Sequence, residues 1–401
     1  MVAERPVLSQ AIKTLCNKAL SRQAVLSKKV REMIAMKMIV DGEKSLDLLL
    51  SILLCMAWSI YFTAGKQYLG MFSSLARSLV SDLRLDKPDN PSLCPSIAPT
   101  SAVKITRTLE SRRALLACFA LSTISISTTF KYDTMPWLSQ LEEDCNELTT
   151  NAECDGDSVL VSIVRISRIC LRALGLYRHL IDDPEQSRHV ALHIGPLKSD
   201  LDKYRSAISP YQAQHTTVAA YLFSAEVVIT ELALLQPPNL TQTPSLTMDY
   251  KRSDYLMGCL AACRTCTEFF LSLDFLHISG SFNLLFGYCI KVIFQLATFQ
   301  DPIWDTLIVR ETVDLLDLVE RCAIQAERAN TTLKQQTGED SVFSTAAKTL
   351  RDTAPQWKVP GSAVDMGNLA VVESWMGDGG LDMSMTDWTD NFWLHAPPLN
   401  L

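Results

Sequence analysis

The chain has 401 residues, 48% of them hydrophobic, and a formal net charge of −7, which suits one large core or two smaller ones. The charge is unevenly placed: Val359 to Leu401 holds six acids (Asp365, Glu373, Asp378, Asp382, Asp387, Asp390) and no Lys or Arg, so the other 38 acids face all 37 bases. The body is close to neutral, which excludes a general attraction to nucleic-acid phosphates.

Helical periodicity dominates and strand alternation is nearly absent. The spacing predicts helices over roughly 8–22, 26–40, 44–63, 66–84, 106–131, 137–150, 156–181, 188–208, 213–236, 249–273, 279–299 and 303–332. The N-terminus, MVAERPVLSQAIKTL, has no apolar run of signal-peptide length. Leu48 to Gly65 is an uncharged run between Lys44 and Lys66, just inside spanning length. It lacks aromatic belts at both ends, so it reads as a buried central helix. Ala114 to Phe130 is a second uncharged run, rich in Ser and Thr. Pro88, Pro91, Pro95 and Pro99 make 86–104 a long loop, and Pro237, Pro238 and Pro244 make 236–247 another. Asp182-Asp183-Pro184 ends a helix. In the last predicted helix Asp301 serves as cap and Pro302 fits the first turn, with Ile308, Leu315, Val319, Cys322 and Ala326 on its apolar stripe. Asp314, Asp317 and Arg321 lie off that stripe. After about Ala354 the pattern turns to Pro, Gly, Asp, Met and Trp, the composition of a disordered tail.

Candidate chemistry is sparse. Cys16, Cys55, Cys118, Cys170, Cys289 and Cys322 fall on apolar helix faces, the pattern of reduced, buried thiols in a reducing compartment. Cys259, Cys263 and Cys266 share the spacing of an iron–sulfur loop but sit at i, i+4, i+7 of a predicted helix among Leu256, Leu260 and Phe270, which makes them core. A zinc site at Cys263 and Cys266 would need a second ligand pair, and none follows. His189 and His193 share a helix face without a third ligand, and Val190 stands where a zinc-helix motif has its Glu. Asp182-Asp183-Pro184-Glu185 lacks the carboxylates that would hold magnesium and diphosphate. No glycine-rich phosphate loop occurs. The expectation is therefore no enzyme, no metal and no cofactor. Basic residues gather in the first 40 positions (Arg5, Lys13, Lys18, Arg22, Lys28, Lys29, Arg31, Lys37) and at Arg165, Arg168 and Arg172. Neither group has interleaved aromatics for stacking on bases, so both read as solvated faces without a strong nucleic-acid site.

The tail is different. Trp375, Trp388, Phe392 and Trp393 stand among Asp378, Asp382, Asp387 and Asp390, with Met376, Met383 and Met385. Acids keep such a segment soluble while its aromatics remain free to dock into a partner groove as a short helix. The composition matches transcriptional activation segments; the same tryptophans could also fold back onto the body.

The order of segments completes the reading. Gly42-Glu43-Lys44-Ser45-Leu46-Asp47-Leu48-Leu49 leads into a helix ending Met56-Ala57-Trp58. Then come Leu75 to Leu85, Lys87-Pro88, and Glu110-Ser111-Arg112-Arg113-Ala114-Leu115-Leu116-Ala117-Cys118. With Trp137, Glu142-Glu143 and Leu160 to Ile166, this resembles the middle homology region of fungal zinc-cluster transcription factors over roughly residues 1–330. Arg84 stands where such proteins usually have Gly, which bears on how that helix ends. The family's six-cysteine DNA-binding module has no counterpart here. The resemblance implies a nuclear regulator of metabolic, including secondary-metabolite, genes. It implies an all-α, multi-helical regulatory domain at 1–335, a linker and activation-like tail at 336–401, contact with the transcriptional machinery through the tail, a DNA-binding partner protein and a small effector. The length and flanks of Leu48–Gly65 give the separate expectation of no membrane role. The alternative is a helical small-molecule binder with no transcriptional role.

Overall fold

A computed structural model describes residues 4–62, 68–87, 107–123, 135–182, 187, 189–236, 246–301 and 303–357, and every regular element among them is helical. The chain begins with α1 (Pro6–Cys16), α2 (Leu20–Ala35), α3 (Leu46–Ala57) and α4 (Leu69–Asp82). Pro6 suits the first turn of α1, whose free amides need acceptors. They find one 40 residues away: the buried Asp47 carboxylate at the start of α3 accepts from Val7 N at 3.0 Å and Leu8 N at 2.9 Å. This places one member of the Gly42–Leu49 motif as a cap that ties α3 to α1. Helix α2 runs on into a π-turn, Met36–Val40.

The middle of the chain forms α5 (Leu109–Ala120), α6 (Ser139–Thr150), α7 (Asp155–Asp182), α8 (Ala191–Ala207), α9 (Pro210–Gln214) and α10 (Thr216–Thr230), the last tightening into a 3₁₀ turn over Glu231–Leu235. The long α7 is amphipathic and packs against α5, α6, α8 and α10. The C-terminal part forms α11 (Leu246–Leu271), α12 (Gly280–Thr298), α13 (Thr306–Thr312), α14 (Leu315–Thr337) and α15 (Val342–Thr353). Helix α12 is buried almost all round and touches α11 on one side and α3 on another. Its first residue explains the close fit. A Cβ at Gly280 would lie 2.6 Å from Ser59 Oγ and 2.8 Å from Ser59 N, so only glycine lets α12 approach the turn after α3. One continuous set of buried side chains runs from Val7 to Leu350.

Several sequence expectations change. The run Leu48–Gly65 is not one helix: α3 stops at Ala57, and Trp58 breaks into a 3₁₀ turn over Ser59–Tyr61. Leu48, Leu49, Ile52, Leu53, Cys55 and Met56 of α3 are buried, as expected of a central helix. Among the described residues, the helices long and apolar enough to cross a membrane are instead Thr216–Leu235 and Gly280–Thr298, and both lie mostly buried within the protein. The predicted helix over 106–131 is regular only to Ala120, and 124–134 lie outside the described residues. The helix expected over 303–332 is two: Asp305 caps α13 through Leu307 N, Val313 is extended, and Asp314 caps α14 through Leu316 N and Asp317 N. Asp314, read as merely off the stripe, is therefore the residue that restarts the helix. Asp301 does not cap that helix; its carboxylate pairs with Arg252 at 2.6 Å, where both side chains are buried. Helix α14 ends on Gly338 in the left-handed conformation, and α15 folds back onto it with Phe343 and Leu350 buried. The packed body thus continues past residue 335, the boundary expected from the sequence.

Candidate functional site

The residues expected to dock a partner, Trp375, Trp388, Phe392 and Trp393, lie outside the described residues. Within them, each candidate from the sequence has a definite place. Cys259, Cys263 and Cys266 line the buried face of α11, where Cys263 and Cys266 meet Cys289 of α12 through thiol hydrogen bonds. Burial and then its thiol neighbours raise the Cys263 thiol well above its ordinary pKa, and the hydrogen bond to Cys289 followed by burial does the same to Cys266. All cysteines among the described residues are free, and Cys16, expected on an apolar face, is exposed because it ends α1. His189 lies in the turn before α8 and His193 within it, both exposed. Among the described residues no three His, Cys, Asp or Glu side chains gather as a metal-ligating group.

The arginine stripe of α7 is occupied. Arg165 bonds to Asn146 and lies 3.7 Å from Glu142; Arg168 bonds to Glu142 at 2.9 Å and covers the Trp137 ring; Arg172 bonds to Asp200 at 2.5 Å. These guanidiniums hold α7 to α6 and α8. The Arg112-Arg113 pair of the family-like motif is also structural. Arg112 and Arg107 both bond to the buried Asp144 of α6, Arg107 through two bonds of 3.0 and 2.6 Å. Arg113 pairs with Asp157 at the start of α7 at 2.7 Å and with Glu153 at 2.8 Å. The Arg113 guanidinium holds the Asp157 carboxyl well below the usual carboxylate range, helped by the Glu153 and Cys154 backbone amides.

The N-terminal basic group divides in two. Arg5 pairs with Glu110 at 2.6 Å, and Lys37 with Glu43 at 2.6 Å. Lys18 sits over the Tyr61 ring, and its burial lowers its ammonium pKa. Arg31 donates to Ser27 and to the Phe62 carbonyl. Arg22, Lys28 and Lys29 project from the exposed side of α2. On that side stand Val25, Met36, Ile39 and Val40, which are 63%, 56%, 68% and 70% exposed. Val25 stands alone among charged neighbours on α2, while Met36, Ile39 and Val40 belong to the π-turn that follows it. Sequence reading counted the charges here and passed over the apolar residues; their signal was that they fall off the buried stripe of Gln23, Ser27, Val30 and Ile34. A second surface, a groove of about 520 Å³, lies along α11 at Met257, Leu260, Ala261, Arg264, Thr265 and Glu268, closed by Thr312 of α13.

Comparison with known proteins adds a context. A family model described as the ATEG07667_C C-terminal domain matches residues 276–398, less than half of the chain. The chain is similar to the transcription factor opdL of Penicillium oxalicum, 28% identical over 335 residues, and to the transcription factor himD of Aspergillus japonicus, 24% identical over 346 residues. These alignments take in 79% and 84% of this chain but only 58% and 57% of the relatives, so it spans little more than half their length. No solved structure matches. The family match begins just before α12 and runs through α13, α14 and α15 into the tail.

Proposed function

We propose that this chain is the helical regulatory part of a nuclear transcription regulator that works without catalysis. The observation that carries the reading is similarity along about four-fifths of the chain to two fungal proteins named transcription factors. The geometry agrees with it. Arginines of the family-like motif and of the α7 stripe are used to join helices, so DNA contact falls to a partner protein or to a separate module. The acidic tail with Trp375, Trp388, Phe392 and Trp393 is the segment that engages the transcriptional machinery, and the regulated genes are metabolic, including those of secondary-metabolite clusters. A small effector bound by the body would tune the response.

The test is a fusion of residues 355–401 to a foreign DNA-binding domain in a fungal reporter strain. The expected result is reporter activation that falls about tenfold or more when Trp388→Ala and Trp393→Ala are combined, as hot-spot aromatics dominate such docking. A silent fusion, with the same substitutions lowering the thermal stability of the full chain, would overturn the role of the tail.

A further inference from the structure

We propose that Cys266 of α11 and Cys289 of α12 form a peroxide-responsive dithiol, which closes into a disulfide across the crossing of these two helices and locks them together. Cys259, Cys263, Cys266 and Cys289 are all buried at this crossing, and all four are free. A lone buried cysteine packs as a small hydrophobe. Here Cys263 and Cys266 both bond to the Cys289 thiol, so reactive groups from two helices already touch.

The register selects the pair. Helix α12 turns back along α11 after a short connection, and Phe270 stacks on Phe286 at 4.1 Å. In antiparallel helices, moving back along one is matched by moving on along the other. Cys266 lies four residues before Phe270, and Cys289 three after Phe286, so they face each other one turn from the stacked rings. Cys263 lies seven before Phe270 and reaches Cys289 from the following turn. A disulfide is about 2 Å long, so thiols in hydrogen-bond contact need to close only roughly 2 Å more. Helix α12 is itself fixed at its first residue, where Gly280 fits against Ser59, so a bond at Cys289 ties α11 to a helix already held against the turn after α3.

The same contacts assign the roles. The bonds from Cys263 and Cys266 lower the Cys289 pKa from the ordinary thiol value, opposed by burial and by the Glu231 carboxylate. Cys289 is therefore the nucleophile, because the thiolate is the reacting form. Hydrogen peroxide is the oxidant, small and uncharged enough to enter as the crossing opens locally. The Cys289 sulfur attacks one peroxide oxygen, the O–O bond breaks, and the departing hydroxide takes the thiol proton to leave as water. Cys289 is then a sulfenic acid. The Cys266 sulfur attacks the Cys289 sulfur, the S–O bond breaks, and the leaving hydroxide carries off the Cys266 proton as a second water. Two thiols have lost two electrons, and one peroxide has gained them.

This goes beyond the proposed function and does not depend on it, because the test reads a bond rather than transcription. The full chain, reduced and then freed of reductant, is exposed to hydrogen peroxide until the exposed Cys16 and Cys154 are oxidised, which sets the dose. Remaining thiols are labelled with N-ethylmaleimide in denaturant and the chain is cut with trypsin. Cys266 and Cys289 fall in one peptide, Thr265–Lys291, while Cys263 falls in Ser253–Arg264. The expected Thr265–Lys291 peptide is two hydrogens lighter and unlabelled, and dithiothreitol before labelling restores both labels. The oxidised chain should melt about 5 °C higher once its exposed thiols are reduced again by a brief mild treatment. A Thr265–Lys291 peptide that keeps both labels at this dose overturns the proposal, as does a bond from Cys289 to Ser253–Arg264. The same exposure in concentrated urea should give mixed pairings. An equal yield of the Cys266–Cys289 bond there would mean that closeness in sequence makes it, and an unchanged melting temperature would remove the lock.

Discussion

Two helix junctions of this body are built in opposite ways. Where α10, α11 and α12 meet, the contacts are thiols and rings: Cys259, Cys263, Cys266 and Cys289, with Phe270 stacked on Phe286 at 4.1 Å. Where α5, α6 and α7 meet, they are ions: Asp144, fully buried, accepts from Arg107, Arg112 and Gln140, while Arg113 bridges to Asp157. The apolar junction gains from area removed from water and tolerates changes that keep volume. The ionic one gains little net energy, because desolvation offsets attraction, but it fixes one geometry: a shift of either helix breaks several directed bonds at once.

The largest effect should come from breaking the ionic junction. Asp144→Ala removes the carboxylate to which the buried Arg107 and the half-buried Arg112 both bond, and the expected cost is about 3–5 kcal/mol in urea unfolding. Cys263→Ala, at the apolar junction, removes one sulfur and should cost only about 1 kcal/mol. Equal costs would show that the two junctions are held by the same means.

Acid separates them further. The Asp157 carboxyl has its pKa depressed in the folded chain, so its contribution is present above the unfolded value near 4 and is lost as pH falls through and below it. Asp157→Asn should cost about 2 kcal/mol at neutral pH, less than a fully buried pair because Arg113 is partly solvated, and roughly half that or less at pH 2, where the loss is under way. The Cys263→Ala cost should stay constant over the same range, since burial and its thiol neighbours hold the Cys263 pKa well above the ordinary value and the thiol remains neutral there. Thermal melts of the three chains from pH 2 to 7 give the comparison; an Asp157→Asn cost independent of pH would remove the ionic reading.

The contrast also explains what was legible beforehand. Period-3.6 apolar spacing is a local property, so the helices and the thiol face of α11 could be read from it. The breaks were harder. Asp314 and Asp305 act through the amides two or three residues on, and a continuous apolar stripe hid the restart between them. Long-range polar roles were not visible at all: Asp47 capping α1, or Asp301 turning from a cap into the partner of Arg252, depends on which helices become neighbours. The exposed apolar residues of α2 and its π-turn were missed for a related reason, since a side chain off the buried stripe gains meaning only when the fold leaves it uncovered.

The smallest expected effect concerns a residue whose oddity the sequence did show. Arg84 has φ +56, the left-handed conformation that glycine adopts without cost, and among the described residues it is the only non-glycine with positive φ. The end of α4 is a complete Schellman turn around it: Arg84 N donates to the Ser81 carbonyl at 3.0 Å and Leu85 N to the Val80 carbonyl at 2.9 Å, with Leu85 and Val80 both buried. The helix therefore ends as it would with glycine, and the strain is absorbed by that packing and those two bonds. Arg84→Gly should stabilise the chain by about 0.5–1 kcal/mol, the left-handed penalty less the added freedom of glycine in the unfolded chain. Arg84→Val, β-branched and worse in this region, should destabilise it by about 1 kcal/mol. The order Gly, Arg, Val in melting temperature tests the backbone alone, because the Arg84 side chain is exposed. An unchanged or lower melting temperature for Arg84→Gly would mean that the Arg84 side chain, rather than the turn, sets the end of α4.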